Sequence, residues 1–99
     1  MHDVEALRIL TALAQSTRFR IVDLLAREAG VGMPSGDIAD QVGVPRNLMS
    51  SHLAILTKAG LVESRKEGRT VVYVLRVAAF AALRDRLAAL IDMSDHRAG

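Results

Sequence analysis

The sequence predicts a mainly helical α+β domain, in the order helix, helix, short strand, helix, helix, hairpin, helix. Three observations predict it. Apolar residues recur at helical spacing over most of the chain. Between Val62 and Val77 the pattern turns extended and β-branched. Two short helical segments meet at a turn of about three to four residues containing Gly43, which is the arrangement of a helix-turn-helix. A hairpin directly after such a pair makes the whole a winged helix-turn-helix.

Each element has its own signals. Asp3 is a candidate N-cap, and Val4, Leu7, Leu10 and Ala14 follow it at helical spacing. Ser16 and Thr17 break that pattern and can cap a second helix carrying Ile21, Val22, Leu24 and Leu25. The stretch from Ala29 to Pro34, with two glycines and a proline, ends it. A short strand is expected at Val31–Met33. Ser35 is expected to cap a brief third helix, with Asp37 in its first turn and Ile38, Ala39 and Val42 facing inward. Gly43 closes that helix and Pro45 opens the fourth, whose fixed φ suits a first turn. The fourth helix is expected over residues 45–59, with Gly60 as its stop. Val62–Lys66 and Thr70–Val77 are the two hairpin strands, and Glu67-Gly68-Arg69 is the tip. A terminal helix carries Phe80, Leu83, Leu87, Leu90 and Ile91 and is expected to end near Met93.

The chain has 99 residues, enough for one domain over residues 1–99. A domain of this size buries only about 60–65% of the surface its unfolded chain exposes. Burial of a further apolar face against a second copy would relieve that shortfall, so a dimer is expected. There is no cysteine, which removes disulfides, thiolate metal ligands and thiol redox chemistry together. Apolar runs fall short of the roughly 18 residues needed to cross a bilayer, and no signal-peptide pattern is visible. A cytoplasmic protein without membrane association is expected.

The net charge of +2 says little, but its distribution is uneven. Between Arg46 and Arg76 lie six basic residues (Arg46, Lys58, Arg65, Lys66, Arg69 and Arg76) against two acidic ones, Glu63 and Glu67. The rest of the chain is net acidic. A positive field concentrated in one segment is the electrostatic footprint of phosphate binding.

The fourth helix divides into two faces. Met49, Leu53 and Leu56 form a core stripe. Asn47, Ser50, Ser51, Ala54 and Lys58 fall on the opposite side, with Arg46 beside them. That outward face is small and polar and carries no carboxylate, which suits close entry into a major groove about 12 Å wide. First-turn residues of a recognition helix point most directly at base edges, so Arg46 and Asn47 are assigned to base reading. Hydrogen-bond geometry favours guanine for the first and adenine for the second. Ser50 and Ser51 can reach bases or phosphates, and Lys58 is assigned to phosphate. His52 lies between the two faces and reads as a structural hydrogen-bonding residue, with a minor DNA contact left open. Arg65, Lys66 and Arg69 bracket the hairpin tip, placed to reach the DNA backbone or an adjacent minor groove. Basic residues there also protect a sheet edge, and the two roles can coexist.

The run from Asn47 to Leu75, NLMSSHLAILTKAGLVESRKEGRTVVYVL, resembles the recognition helix and wing of the ArsR family of winged-helix repressors. Ser50, His52, Leu53, Leu56, Ala59, Gly60, Leu61, Val62, Gly68, Arg69 and Tyr73 fall on the family's pattern. The segment ALAQSTRFRIVDLL, Ala12 to Leu25, resembles the family's second helix. The resemblance implies a homodimer paired through its first and last helices, about residues 3–14 and 77–93. Leu7, Leu10, Leu83, Leu87, Leu90 and Ile91 would form the interface, and those faces have no other partner in the sequence pattern. It also implies repression, relieved when an effector binds.

The effector is where the sequence departs from the family's metal and sulfur sensors. Pro34 and Gly36 stand where arsenic- and cadmium-type members place cysteines, and Asp23 stands at the second-helix cysteine of persulfide-responsive members. Thiol-based sensing is excluded. Zinc- and nickel-type members use His and carboxylates on the last helix. Here Asp92 and His96 lie four apart, with Asp85 and Asp95 nearby and His2 at the other end of the interface, but the two-histidine spacing is absent. The cluster reads as a solvated helix end, so no metal or other cofactor is expected.

The sequence therefore predicts a homodimeric repressor that binds an inverted repeat of double-stranded DNA. The competing reading is a winged-helix interaction module in which a basic wing grips an acidic protein. An enzyme is a distant third, since no Cys nucleophile, glycine-rich phosphate loop or Ser/His/Asp set is visible.

Overall fold

The structure, a computed structural model, describes residues 1–28 and 30–98, with side chains as far as residue 95. Its elements run α1 (Asp3–Leu13), α2 (Ser16–Arg27), β1 (Met33–Pro34), α3 (Ser35–Val42), α4 (Arg46–Lys58), β2 (Val62–Glu67), β3 (Thr70–Leu75) and α5 (Val77–Ala98). The order is the expected one. The largest boundary shifts are at β1, which lies one to two residues later than expected, at β3, which ends at Leu75 rather than Val77, and at α5, which continues about a turn past Met93. The other ends agree to within a residue or so.

The helix starts differ from the sequence reading in their caps. Asp3 and Ser35 are already helical, following His2 and Pro34, neither of which makes a side-chain cap bond. Gln15, rather than Ser16 or Thr17, caps α2. Its backbone is extended, and its Oε1 accepts from the Arg18 N–H at 2.8 Å. A Gln side chain is long enough to reach the third helical N–H, which would otherwise lack a partner. Pro45 sits one residue before α4 instead of opening it.

The core gathers where α2, α3 and α4 meet the root of the hairpin. Ile21, Leu25, Ile38, Met49, Leu53, Leu56, Leu61 and Val62 are fully enclosed. Ala6, Ile9 and Ala12 from α1 and Leu83 from α5 join the same cluster. The turn between α3 and α4 depends on Gly43, whose φ of 78° lies in the left-handed region that other residues enter at a cost. Its N–H and that of Val44 both donate to the Ala39 carbonyl, at 2.8 and 3.0 Å. From outside the pair, Arg20 of α2 donates through Nη2 to the Val42 carbonyl at 2.6 Å. A cation on the last carbonyls of α3 is favoured by the helix dipole, and it fixes α3 against α2.

Leu61 N–H reaches back to the Leu56 carbonyl at 3.0 Å, ending α4 as the sequence suggested at Gly60. The hairpin follows at once. β3 is the central strand of an antiparallel sheet ordered β1-β3-β2, with Val62 opposite Leu75 and Glu67 opposite Thr70. Gly32 passes close over β3: a Cβ there would fall 2.7 Å from Val74 Cγ1. The molecule is elongated, 55 × 24 × 22 Å. Among the described residues, no helix is long and apolar enough to cross a membrane.

Candidate nucleic-acid interface

α4 is seated by its apolar stripe. Met49, Leu53 and Leu56 are buried, and the residues assigned to the outward face (Asn47, Ser50, Ser51, Ala54 and Lys58) are all exposed. The helix offers no acidic side chain along its length. Its flanks are more apolar than a groove-facing surface requires, with Leu48 and Ile55 exposed. His52 is half-buried between them, and its Nδ1 is enclosed without a hydrogen-bond partner.

Arg46 begins α4 and is exposed, but it is not free. Asp40, on the outer side of α3, accepts from its Nη2 at 2.7 Å and from its Nε at 3.3 Å. The hydrogen bond from Arg46 lowers the Asp40 carboxyl below its ordinary value of 3.8, and the carboxylate raises the Arg46 guanidinium in turn. The guanidinium lies over Gly36, where a Cβ would sit 3.0 Å from Nη1 and 3.1 Å from Cζ. Sequence reasoning assigned Arg46 from the faces of α4 alone and so missed Asp40 as its partner. The available signal was the pattern of α3: Asp37, Asp40 and Gln41 lie opposite the buried Ile38, Ala39 and Val42.

The hairpin sorts its charges by face. Directly opposed residues of an antiparallel pair share a side of the sheet. Glu63, Arg65 and Glu67, paired with Val74, Val72 and Thr70, therefore lie on one face, and Ser64 and Lys66 on the other. Arg65 is drawn toward the loop before β1, where its Nη2 donates to the Gly30 carbonyl at 2.8 Å. Arg69 occupies the two-residue tip beside Gly68, and it and Lys66 are exposed.

Leu7, Leu10, Leu87 and Leu90 line a groove of about 220 Å³ between α1 and α5, and Ile91 is exposed beyond it. Leu83 departs from that set. It is only 7% exposed and packs into the protomer's own core, because α5 still lies against the domain at that turn. Asp85, Asp92, Asp95 and His2 are exposed. No group of three or more potential metal ligands forms among the described residues, and the side chain of His96 lies outside them.

Residues 13–65 match the family model of a helix-turn-helix domain. An ArsR-like transcriptional regulator from Rhodococcus sp. RHA1 superposes with a TM-score of 0.86, covering 95% of this chain and 86% of its own, at 29% identity. The chain belongs to the ArsR family of winged helix-turn-helix transcriptional regulators. An uncharacterized HTH-type transcriptional regulator of Methanocaldococcus jannaschii is 33% identical over 91 residues, 92% of either chain. CmtR of Mycobacterium tuberculosis is 41% identical over 75 residues, 76% of this chain, but longer, and the match spans 61% of it. A homodimeric winged helix-turn-helix DNA-binding domain from Mycobacterium bovis superposes at a TM-score of 0.68 and 29% identity, covering 93% of this chain and 81% of its own. This ArsR-family chain is thus a DNA-binding regulator of transcription, a class that is not enzymatic.

Proposed function

We propose that this ArsR-family regulator is a homodimeric repressor that binds an inverted-repeat operator through α4 and the β2–β3 wing. The observation that carries the reading is the exposed face of α4. Asn47, Ser50, Ser51 and Ala54 are short, uncharged and unobstructed, and buried Met49, Leu53 and Leu56 anchor the helix behind them. Such a face admits the helix to the major groove, and Arg46 and Asn47 at its start read bases. Lys58, Lys66 and Arg69 contact phosphate, while Arg65 braces the wing against the loop at Gly30.

The exposed apolar rows of α1 and α5 support pairing of two copies, as does the homodimeric Mycobacterium bovis relative. Two copies related by a two-fold axis place their α4 helices in successive major grooves, about one helical turn apart. Repression follows from occupying a promoter, and any effector that ends it acts without a protein thiol, since the chain has no cysteine.

Footprinting and salt titration on DNA upstream of the protein's own gene, followed by transcription in vitro, test the proposal. The expected results are a protected inverted repeat, an affinity that falls steeply between about 50 and 200 mM salt, and reduced transcript. Failure to bind any duplex at low salt would replace this reading with the interaction module. Protection accompanied by increased transcript would overturn repression alone.

A further inference from the structure

The ion pair between Asp40 and Arg46 suggests more than a surface contact. We propose that Asp40 is a positioning residue for DNA recognition: it fixes the Arg46 guanidinium so that its outer Nη1–Nη2 edge is presented to a guanine. The inference rests on the base-reading role given to Arg46 above.

A guanidinium carries five N–H donors, one on Nε and two on each terminal nitrogen. Asp40 takes the edge formed by Nε and Nη2, through both of its oxygens. The other usable edge, one N–H from each of Nη1 and Nη2, stays unoccupied. Two parallel donors on that edge match the O6 and N7 acceptors of guanine, the commonest specific contact in the major groove. Holding one edge of the fork therefore orients the other. Without Asp40, a long exposed side chain would have to be ordered at the moment of binding, and that ordering opposes association.

Gly36 adds an independent restraint. The guanidinium rests on the surface of α3 where a side chain would otherwise project, with a would-be Cβ only 3.0 Å from Nη1 and 3.5 Å from Nε. Glycine is a poor helix former, yet it stands in the first turn of α3. In this position it leaves room for a flat guanidinium against the backbone.

Charge makes the third argument. Asp40 and Arg46 are both exposed, with side-chain accessibilities of 60% and 66%. An unpaired carboxylate this close to the recognition helix would repel the DNA backbone. Paired, the two charges cancel, so Arg46 adds little to general phosphate attraction and its value lies in discrimination. Asp40 thus trades sequence-independent affinity for specificity.

Selection of bound sequences from a random duplex library tests this, with the wild type and Asp40→Asn, Asp40→Ala, Asp40→Glu, Gly36→Ala and Arg46→Ala compared. Anisotropy titrations of the enriched duplex and a random duplex, and thermal melts of each variant, accompany it. Arg46→Ala is expected to lose preference at one base pair per half-site, by about tenfold or more. Asp40→Asn and Asp40→Ala should lose part of that same preference, about three- to tenfold, with none lost at other positions. Their affinity for random duplex should rise, and the slope of log affinity against log salt should steepen by up to about one. Asp40→Glu should recover part of the preference, and Gly36→Ala should lose part of it.

Retention of the full preference by both Asp40→Asn and Asp40→Ala, while Arg46→Ala loses it, overturns the positioning role and leaves base reading intact. An equal loss on every sequence also overturns it, in favour of a purely structural pair. If Arg46→Ala keeps the wild-type preference, the base-reading assignment itself fails.

Discussion

Arg86 donates through Nε to Asp3 Oδ1 at 3.0 Å, joining the first turn of α1 to the middle of α5. The pair closes one side of the groove lined by Leu7, Leu10, Leu87 and Leu90. Two helices held edge to edge in this way present their apolar rows as one surface, which is what a two-fold interface requires. The proposed dimer predicts that Leu90→Glu gives a folded monomer. Sedimentation equilibrium at micromolar concentration reads the mass and circular dichroism reads the helix content. Arg86→Ala should leave the dimer in place, since an exposed ion pair contributes about 0–1 kcal/mol. A Leu90→Glu protein that still sediments as a dimer would remove α5 from the interface.

Gly32 and Gly68 both have positive φ, 84° and 63°, but only one is crowded. An added Cβ at Gly68 meets nothing within 4 Å, whereas at Gly32 it meets Val74 Cγ1 at 2.7 Å and the Tyr73 carbonyl oxygen at 3.2 Å. Gly68→Ala should therefore cost only the left-handed backbone term, about 1–2 kcal/mol. Gly32→Ala adds overpacking against β3, for a total of about 2–4 kcal/mol. Urea denaturation of both variants measures the difference. Equal losses would show that the loop before β1 shifts freely and does not brace the sheet.

The order of elements was legible because each carries a local signal. The β-branched and aromatic run Thr70–Val74 has the composition of a strand, and Gly43 with Pro45 marks a turn whatever surrounds it. The two faces of α4 were legible for the same reason: period alone separates Met49, Leu53 and Leu56 from Asn47, Ser50 and Ser51. What the sequence hid was contact between elements. Asp40 meets Arg46 across the helix-turn-helix turn, and Arg65 meets the Gly30 carbonyl across 35 positions of chain. Leu83 misled for a related reason. It continues the row of Leu87 and Leu90, but only the packed fold shows where α5 leaves the domain and that row passes from core to surface.

The basic residues of the wing and the uncharged Asn47 of α4 should separate in a salt titration. Lys66→Ala and Arg69→Ala each remove one proposed phosphate contact, so each should flatten the salt slope by about 0.9 and weaken specific and random DNA alike. Arg65→Ala should alter the slope less, because its guanidinium is engaged with the loop. Asn47→Ala should instead cost about 1–3 kcal/mol at a single base pair, with little change of slope. Competition titrations with base-pair variants of the operator distinguish the two behaviours. A uniform loss for Asn47→Ala would move it among the phosphate contacts.

The Asp40 carboxyl is depressed by its hydrogen bond from Arg46, and the sign of its effect on stability follows. A group whose folded value lies below its unfolded value favours the folded state while it is ionised. Its contribution is fully present above the ordinary 3.8 and disappears as pH falls through the depressed folded value. The difference in unfolding free energy between wild type and Asp40→Asn should therefore be constant from about pH 5 to 8 and shrink below about pH 4. Because both side chains are exposed, the difference should be small and should diminish with added salt. Urea titrations across that pH range measure it. A difference that grows on acidification would mean that Asp40 is held protonated in the folded protein, and the ion pair with Arg46 would then not exist in solution.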